Sequence, residues 1–264
     1  MTALPSHPVL PWYRPIGNEL TLFEQAWRNQ LPLLLKGPTG CGKSRLVEHM
    51  AARLGRPLVT VACHDESSAV DLVGRYLVEG GQTVWQDGPL TRAVRQGAIL
   101  YLDEIAEARP DVVVVIHPLT DHRRQLVIDR RDELVQAPPE FMLVVSFNPG
   151  YQRGLKELKP STRQRFVGIS FGYPKAEVEQ EVLLGETGIQ ADVARRLVAL
   201  AGRLRGLDSL GLAEVPSTRL LVHTARLIQA GLPPRQACNA GIVEALTDDP
   251  DTSAALRELV NLSF

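Results

Sequence analysis

The sequence lacks the features that would place it among membrane-spanning, disulfide-stabilised or zinc-binding proteins. Its longest apolar runs, such as Val112–Ile116, have five residues, whereas a helix that crosses a bilayer needs about 20. Cys41, Cys63 and Cys238 are far apart and form no C-x-x-C pair, which excludes a disulfide framework and a zinc knuckle. We therefore expect free thiols and no membrane-spanning segment.

The chain also lacks an excess of charge of either sign. It has 29 Lys+Arg and 30 Asp+Glu, a net charge of −1, which offers no general attraction to nucleic acid or to anionic lipid. The first 15 residues contain four prolines and no apolar core as long as that of a signal peptide. We expect a cytoplasmic protein that binds neither nucleic acid nor membrane.

Apolar runs alternate with amphipathic stretches between about residues 31 and 171, a pattern typical of a parallel β-sheet covered by helices. A helix capped by Asn18 is predicted before the sheet. Val112–Ile116 has the composition of a strand, but Pro110 and Asp111 in front of it make an equally good helix start. The predicted strands are Leu31–Leu35, Leu58–Ala62, Ala98–Leu102, Phe141–Phe147 and Val167–Phe171.

Two segments interrupt this alternation, and only helices follow it. Residues 75–87 and 124–135 each contain two short apolar pieces around a turn, which predicts two β-hairpin inserts. After Pro174 the predicted helices are Lys175–Glu186, Asp192–Arg205, Ser217–Ala230, Arg235–Leu246 and Ser253–Val260. We therefore predict an α/β domain over residues 1–173, with helices on both faces of its sheet, and an all-helical domain over residues 174–264.

A glycine-rich segment between the first predicted strand and an amphipathic stretch carries the strongest chemical signal. It consists of Gly37, Pro38, Thr39, Gly40, Cys41, Gly42, Lys43 and Ser44. This segment fits G-x-x-x-x-G-K-[ST] in the strand–loop–helix context of a phosphate-binding loop, which disfavours an ordinary glycine turn. Backbone N–H groups would bind phosphate oxygens. Lys43 would reach the β- and γ-phosphates of ATP, and the Ser44 hydroxyl would bind Mg²⁺.

Polar side chains follow two later strands. Asp103 and Glu104 come directly after Ala98–Leu102, and Asn148 comes directly after Phe141–Phe147. Open α/β sheets bind ligands at the carboxyl ends of their strands. Asp103 would hold Mg²⁺ through water, Glu104 would polarise the attacking water, and Asn148 would position that water. Taken alone, surface acids and a turn asparagine before proline are the simpler interpretations.

Three arginines complete the set of candidate site residues. Arg163 and Arg165 precede the last strand, where they could reach a neighbouring subunit's nucleotide as an arginine finger, with a solvated salt bridge as the alternative. Ser217 is a predicted N-cap, so Arg219 lies in the first helical turn, where a cation opposes the dipole by about 0.3–1 kcal/mol. That placement favours an external anion such as the γ-phosphate of ATP, and a pair with Glu214 is the alternative.

These motifs together resemble the nucleotide machinery of AAA+ ATPases. The strings GPTGCGKS, ILYLDE, STRQRF and PSTR carry the resemblance, which covers nearly the whole chain. The two hairpins are similar to the inserts of the MoxR branch, and VACHDESSAVDLVGR, HPLTDHRR and SFNPGYQ closely resemble its CbbQ/NorQ/NirQ group. One departure is that the acidic motif is DEIAEARPD where we expect DEVVEARQD; it retains both acids and introduces Pro110.

The resemblance implies a P-loop NTPase core with a C-terminal helical lid, assembled as a homohexamer with ATP between subunits. It implies Walker A roles for Lys43 and Ser44, Walker B roles for Asp103 and Glu104, sensor 1 for Asn148, the finger for Arg165 or Arg163, and sensor 2 for Arg219. It also implies an adaptor with a von Willebrand factor A domain, called CbbO in CbbQ systems. The client is Rubisco for CbbQ members and nitric oxide reductase for NorQ members.

We therefore expect an ATP-hydrolysing machine that remodels a client enzyme. The HPLTDHRR and NPGYQ strings favour CbbQ, and hence Rubisco, by a small margin. A P-loop phosphotransferase acting on a small molecule is the alternative from another class, and it leaves Arg165 and Arg219 without a purpose. A DNA-directed motor would need a basic face, and the near-neutral charge of this chain does not indicate one.

Overall fold

The computed structural model describes residues 10–149, 158–207, 212 and 214–264. The first nine residues and the last three letters of the SFNPGYQ string lie outside the described residues. The chain divides into two units. The first comprises the residues up to Pro11, Gly17–Gly37 and Lys43–Ser170, and the second comprises Trp12–Ile16, Pro38–Gly42 and Phe171–Phe264.

A parallel sheet forms the centre of the first unit. The strands of this unit are β1 (Leu33–Lys36), β2 (Leu58–Ala62), β3 (Gly74–Glu79), β4 (Gln82–Asp87), β5 (Ile99–Asp103), β6 (Gln125–Ile128), β7 (Glu133–Gln136), β8 (Met142–Phe147) and β9 (Val167–Ser170). Five of them pair in the order β2-β5-β8-β1-β9, and every pairing is parallel. The central strands β5 and β8 are almost entirely buried and mostly apolar, as strands covered on both faces are.

All five predicted sheet strands are confirmed, with ends that differ by up to two residues. The first begins at Leu33 rather than Leu31, because Pro32 has no N–H to give to the ladder. In the register of the sheet, Leu34 lies opposite Val145 of β8 and Gly168 of β9. The strand β1 therefore lies inside the sheet, where the loop that follows it emerges between two neighbours.

The helices of the first unit are α1 (Glu19–Arg28), α2 (Lys43–Arg53), α3 (Ala69–Val73), α4 (Pro89–Gln96), α5 (Pro110–Ile116) and α6 (Pro160–Arg163). Val112–Ile116 lies in α5, with Pro110 in the first turn, where proline costs no hydrogen bond. The helix predicted after Asn18 is confirmed, but Asn18 does not cap it through its side chain. Asn18 does precede α1, but its backbone has φ −101° and ψ 15° and its side chain forms no capping hydrogen bond, since a cap needs an extended backbone there.

Both predicted hairpins are present. The strands β3 and β4 join through Gly80 and Gly81, whose φ values of 57° and 80° are the positive pair that a type I′ turn requires. Tyr76 and Trp85 pack edge to face across this hairpin, with ring centroids 5.0 Å apart. The second hairpin joins β6 to β7. The phenol of Tyr76, in the first hairpin, donates over 3.2 Å to the carbonyl of Arg130, which lies near the tip of the second hairpin.

Helices alone form the regular structure described in the second unit. They are α7 (Ala176–Thr187), α8 (Ala191–Arg205), α9 (Thr218–Gln229), α10 (Pro234–Cys238), α11 (Glu244–Leu246) and α12 (Pro250–Ser263). The predicted helix Arg235–Leu246 is interrupted by a π-helical turn over Asn239–Val243. Leu183, Leu197, Leu221 and Leu256, from four of these helices, are fully buried in one apolar core.

A buried ion pair connects three parts of the second unit. Glu179 on α7 is 1% exposed, and its carboxylate accepts two hydrogen bonds of 2.8 Å from the Arg205 guanidinium on α8. Thr218 at the start of α9 donates to the same carboxylate over 2.6 Å. The Nε of Arg205 donates to the carbonyl of Pro216 over 2.8 Å, and its guanidinium lies 4.2 Å from the ring centroid of Tyr173.

We expect Glu179→Ala to lower the free energy of unfolding by about 3–5 kcal/mol, because Arg205 would keep a largely buried charge without its partner. Urea unfolding followed by circular dichroism measures the loss. The matched control is Glu177→Ala, an exposed position on the same helix, for which we expect less than about 1 kcal/mol. Equal losses in the two variants would contradict a stabilising role for the buried pair.

Candidate nucleotide site

The glycine-rich loop joins β1 to α2, which is the strand–loop–helix context that its sequence predicts. The helix α2 begins at Lys43, so Lys43 and Ser44 form its first turn. Gly40 and Gly42 have φ values of 68° and 103°, which L-residues with a side chain rarely adopt. The two glycines differ in their surroundings. A Cβ on Gly40 would lie 2.6 Å from the Oγ of Ser217, whereas one on Gly42 would meet no atom within 4 Å.

Lys43 is held at the carboxyl end of the sheet although only 6% of it is exposed. Its ammonium donates to the carbonyl of Gly37 over 2.8 Å and to the Oδ1 of Asn148 over 2.6 Å. Gly37 follows β1, and Asn148 follows the neighbouring strand β8. Lys43 therefore connects the start of the loop to the tip of β8.

Glu104 continues this arrangement on the next strand. Its Oε1 accepts a hydrogen bond of 2.9 Å from the Nδ2 of Asn148, so Lys43, Asn148 and Glu104 form a hydrogen-bonded row. Glu104 has a left-handed backbone, with φ 55° and ψ 47°. Such a conformation is uncommon for a residue with a Cβ and occurs disproportionately at active sites. The backbone N–H of Glu104 donates to the Oγ of Ser146 over 3.1 Å.

A second set of hydrogen bonds connects Ser44 to Asp103 and involves two residues that the sequence analysis missed. The hydroxyl oxygens of Ser44 and Tyr101 are 3.3 Å apart, and the Tyr101 phenol donates to Asp103 Oδ1 over 2.7 Å. The Ser146 hydroxyl donates to the same oxygen. Tyr101 precedes Asp103 by two positions and Ser146 precedes Asn148 by two. The alternation of a strand could have placed these polar residues on the same face as the site.

The surroundings of Glu104 favour its protonated form more than water does. Burial raises the pKa of Glu104, the nearby ammonium of Lys43 opposes that shift, and the carboxylate of Asp103 adds to it. Burial, followed by the charges of Asp103 and Glu104, raises the pKa of the Cys63 thiol to about 12. Cys63 is therefore a neutral thiol at physiological pH and a poor nucleophile. All three cysteines are free, as predicted, and the structure buries them.

The oxygen donors of Ser44 and Asp103 suit Mg²⁺, because this ion takes one or two protein oxygens and completes its shell with phosphate and water. Tyr101 bridges the two side chains and keeps them near each other. Over the described residues there is no cluster of three or more His, Cys, Asp or Glu side chains that could hold a metal. The donor set therefore fits an ion that arrives with a nucleotide better than a metal bound by protein ligands alone.

Arg163 and Arg165 lie outside the row of Lys43, Asn148 and Glu104. The Nη1 of Arg165 is 3.4 Å from the Oδ2 of Asp121, an ion pair of the kind considered as the alternative for this residue. Asp121 also accepts two hydrogen bonds from the guanidinium of Arg123, which are the main reason that its carboxyl pKa is lowered. The guanidinium of Arg163 lies 5.2 Å from the ring centroid of Phe147.

The predicted N-cap at Ser217 is confirmed, since its Oγ accepts from the N–H of Leu220 over 3.3 Å. Arg219 accordingly lies in the first turn of α9 and is exposed. In the part of the chain that the structure describes, Arg219 pairs neither with Glu214 nor with any other carboxylate. Its charge is therefore available to an anion.

Comparison with known proteins identifies the family. Residues 32–166 match the AAA domain family (dynein-related subfamily), and residues 179–263 match the CbbQ/NirQ/NorQ C-terminal family. The chain is a CbbQ/NirQ/NorQ-type AAA+ ATPase. The predicted family and the predicted AAA+ fold, an α/β P-loop core followed by a helical region, are confirmed.

Relatives of this AAA+ ATPase match along almost their whole length. The chain is 57% identical to the denitrification regulatory protein NirQ of Stutzerimonas stutzeri, over 97% of this chain and 94% of the relative. It is 58% identical to protein NorQ of Paracoccus denitrificans, over 96% and 94%. It is 53% identical to protein CbbQ of Hydrogenophilus thermoluteolus, over 96% and 95%.

Solved structures with the same fold are more distant in sequence. NtrX from Brucella abortus, solved with ADP, superposes with a TM-score of 0.54 at 16% identity, over 95% of this chain and 65% of NtrX. A RuvB variant from Thermotoga maritima gives 0.52 at 19% identity, over 93% and 71%. At these identities the likeness concerns the fold alone. None of the helices described here is long and apolar enough to span a bilayer.

We expect Glu104→Gln to be more stable than the wild type at pH 8, with a smaller difference at pH 5. An acid whose pKa is raised by folding binds more protons in the folded state than in the unfolded state. Its presence therefore lowers the free energy of unfolding as the pH rises above 4.5, the ordinary pKa of a glutamic acid. Urea unfolding at the two pH values measures the effect. Exposed Glu66→Gln controls for the loss of one charge, and a glutamine variant at position 104 that is less stable than the wild type at pH 8 would contradict the prediction.

Proposed function

We propose that this AAA+ ATPase binds ATP with Mg²⁺ at the row of Lys43, Asn148 and Glu104 and uses hydrolysis to remodel a client enzyme. The observation that carries the proposal is the row itself. It places a cation, an amide and a carboxylate side by side at the carboxyl end of a parallel sheet, beside a phosphate-loop sequence. Ligands of open α/β sheets bind at that end.

Each group in the row has a distinct part in this proposal. Backbone N–H groups of the glycine-rich loop bind phosphate oxygens, and Lys43 binds the β- and γ-phosphates. Ser44 and Asp103 hold Mg²⁺, which when bound would neutralise charge on the phosphate oxygens. Glu104 accepts the proton of the attacking water, a role that its raised pKa suits. Asn148 holds Glu104 in place through its Nδ2.

We expect Glu104→Gln to bind Mg²⁺ and ATP as the wild type does but to hydrolyse ATP about 100-fold more slowly or worse, because glutamine cannot accept the proton. Calorimetric titration measures binding, and phosphate release measures turnover. Glu66→Gln, at an exposed position, is the control for a charge change elsewhere. Hydrolysis by the position-104 variant at the wild-type rate would overturn the assignment of the base.

We propose that the working form is a homohexamer in which Arg165, or Arg163, reaches the nucleotide of the next subunit. The surface position of Arg165 supports this proposal, because a cation in a half-exposed ion pair can exchange one anionic partner for another. Arg219 is proposed to bind the γ-phosphate, and two features support that role: it is exposed, and it pairs with no carboxylate among the described residues. A small-molecule phosphotransferase, the alternative, would turn over fully as a monomer.

We expect Arg165→Ala alone to lose ATP hydrolysis, and a mixture of Arg165→Ala with Glu104→Gln to regain part of it. In a random one-to-one ring, about a quarter of the interfaces would combine an intact Glu104 with an intact Arg165 from the neighbour. Phosphate release from the mixture measures the recovery, and sedimentation with ATP measures assembly. Arg163→Ala in the same assay identifies which arginine acts. Undiminished hydrolysis by Arg165→Ala would exclude it as the finger.

The sequence strings and the relatives favour different clients, and we propose both for testing. The sequence strings favour CbbQ and thus Rubisco reactivation in the cytoplasm, together with a CbbO-like adaptor that carries a von Willebrand factor A domain. The identities to NirQ and NorQ, 57% and 58% against 53% for CbbQ, favour maturation of nitric oxide reductase. Reactivation of inhibited Rubisco by the chain, ATP and the adaptor tests the first client. Nitric oxide reductase activity in cells with and without the chain tests the second, with Glu104→Gln as the inactive control in both.

A further inference from the structure

Two side chains from the C-terminal part of the chain contact the tip of the phosphate loop. The phenol of Tyr173 donates to the carbonyl of Thr39 over 3.3 Å. Ser217 packs against Gly40 so closely that a Cβ on Gly40 would lie 2.6 Å from its Oγ and 2.7 Å from its Cβ. The loop tip, Tyr173 and Ser217 all belong to the second unit. Adjacent loop residues are thus held by a hydrogen bond and by packing.

The hydrogen bond at Thr39 acts on the peptide group that Thr39 shares with Gly40. This peptide is trans, and in a planar trans peptide the C=O and N–H point in opposite directions. A hydroxyl that holds the Thr39 carbonyl therefore turns the Gly40 N–H away from Tyr173. Since the backbone N–H groups of this loop are its phosphate-binding groups, the orientation of that peptide bears directly on affinity.

Both contacts are fixed by the same buried ion pair. The guanidinium of Arg205 lies on the ring of Tyr173 at 4.2 Å and also binds the carbonyl of Pro216, next to Ser217. Glu179, which holds Arg205, accepts from Thr218 on the other side of Ser217. Burial raises the pKa of Tyr173 to about 12, so its hydroxyl remains a donor at neutral pH.

We propose that Tyr173 and Ser217 are positioning residues that set the conformation of Thr39 and Gly40 for binding the phosphate groups of a nucleoside triphosphate. The proposal rests on the proposed nucleotide site and extends it to residues that no phosphate-loop pattern contains. It also explains why position 40 is glycine. The pattern G-x-x-x-x-G-K-[ST] allows any residue at that position, whereas the packing of Ser217 leaves no room for a side chain there.

Tyr173→Phe tests the hydrogen bond, because it removes the hydroxyl and keeps the ring on Arg205. We expect the Kd for ATP and the KM to rise about two- to fivefold, which corresponds to the lower part of the free-energy range for one neutral hydrogen bond. We expect kcat to stay within about twofold of the wild-type value. Tyr76→Phe is the matched control, since it removes a tyrosine–carbonyl hydrogen bond in the first hairpin. Equal Kd values for the two phenylalanine variants would overturn the role of Tyr173.

Gly40→Ala tests the packing contact. We expect it to weaken ATP binding about tenfold or more, and Gly40→Ala with Ser217→Gly to regain part of the loss, because glycine is tolerated at an N-cap. Gly42→Ala is the control, since its Cβ would meet nothing within 4 Å and Ser217→Gly should not rescue it. No rescue at position 40, or equal rescue at position 42, would overturn the role of Ser217.

Lys43→Ala separates this inference from the function on which it rests. It removes the ammonium assigned to the phosphates, so it should abolish ATP binding whatever Tyr173 and Ser217 do. If Lys43→Ala loses ATP binding while the Tyr173 and Ser217 experiments leave ATP binding unchanged, only the positioning proposal is refuted. If Lys43→Ala binds ATP as the wild type does, the assignment of the nucleotide site itself is refuted.

Discussion

The candidate site depends on a lysine ammonium held almost entirely out of water. Lys43 is 6% exposed, and burying a charge is costly unless the group is hydrogen-bonded. Two of its acceptors, the Gly37 carbonyl and the Asn148 amide oxygen, are neutral. These two acceptors satisfy donors of the ammonium without adding a negative charge. Because both acceptors come from strand ends, the sheet itself determines where the ammonium lies.

The order of the strands explains why the three residues of the row are neighbours. The sheet places β8 between β5 and β1. Glu104 follows β5, Asn148 follows β8, and the loop that leads to Lys43 follows β1. The amide is therefore in the middle, where it can accept from the lysine and donate to the carboxylate. An asparagine can do both at once because its amide carries an acceptor and a donor on one planar group.

A different physical principle organises the second unit. Its apolar helices share a core, but the starts of α7 and α9 and the end of α8 meet around a buried carboxylate and a guanidinium. An ion pair of this kind contributes little net stability compared with apolar packing, whereas loss of one partner is expensive. What it adds is geometry: a planar guanidinium fixes several partners at set angles. Here those partners include the ring of Tyr173 and the backbone beside Ser217.

Much of the fold and family could be predicted from the sequence by local rules. The apolar runs located the five sheet strands, the Gly80–Gly81 pair identified a hairpin, and the long motif strings led to a family that the comparisons confirm. The strands and the hairpin are local features, because each depends on backbone preferences and side-chain periodicity within a few residues. Asn18 shows the limit, since its backbone does not adopt the extended conformation that a cap needs. The roles of the individual site residues remain predictions.

The amino-acid sequence by itself determined which groups are available: a glycine loop that leads to an amine, and two carboxylates and an amide at the ends of strands. Only the tertiary structure decided which of them touch. Tyr101 and Ser146 became part of the site because strand pairing places them beside Asp103. Tyr173 came to bind Thr39, 134 positions away, through packing between segments that are remote in the chain. Contacts of that kind are set by how buried surfaces fit together, which no local pattern encodes.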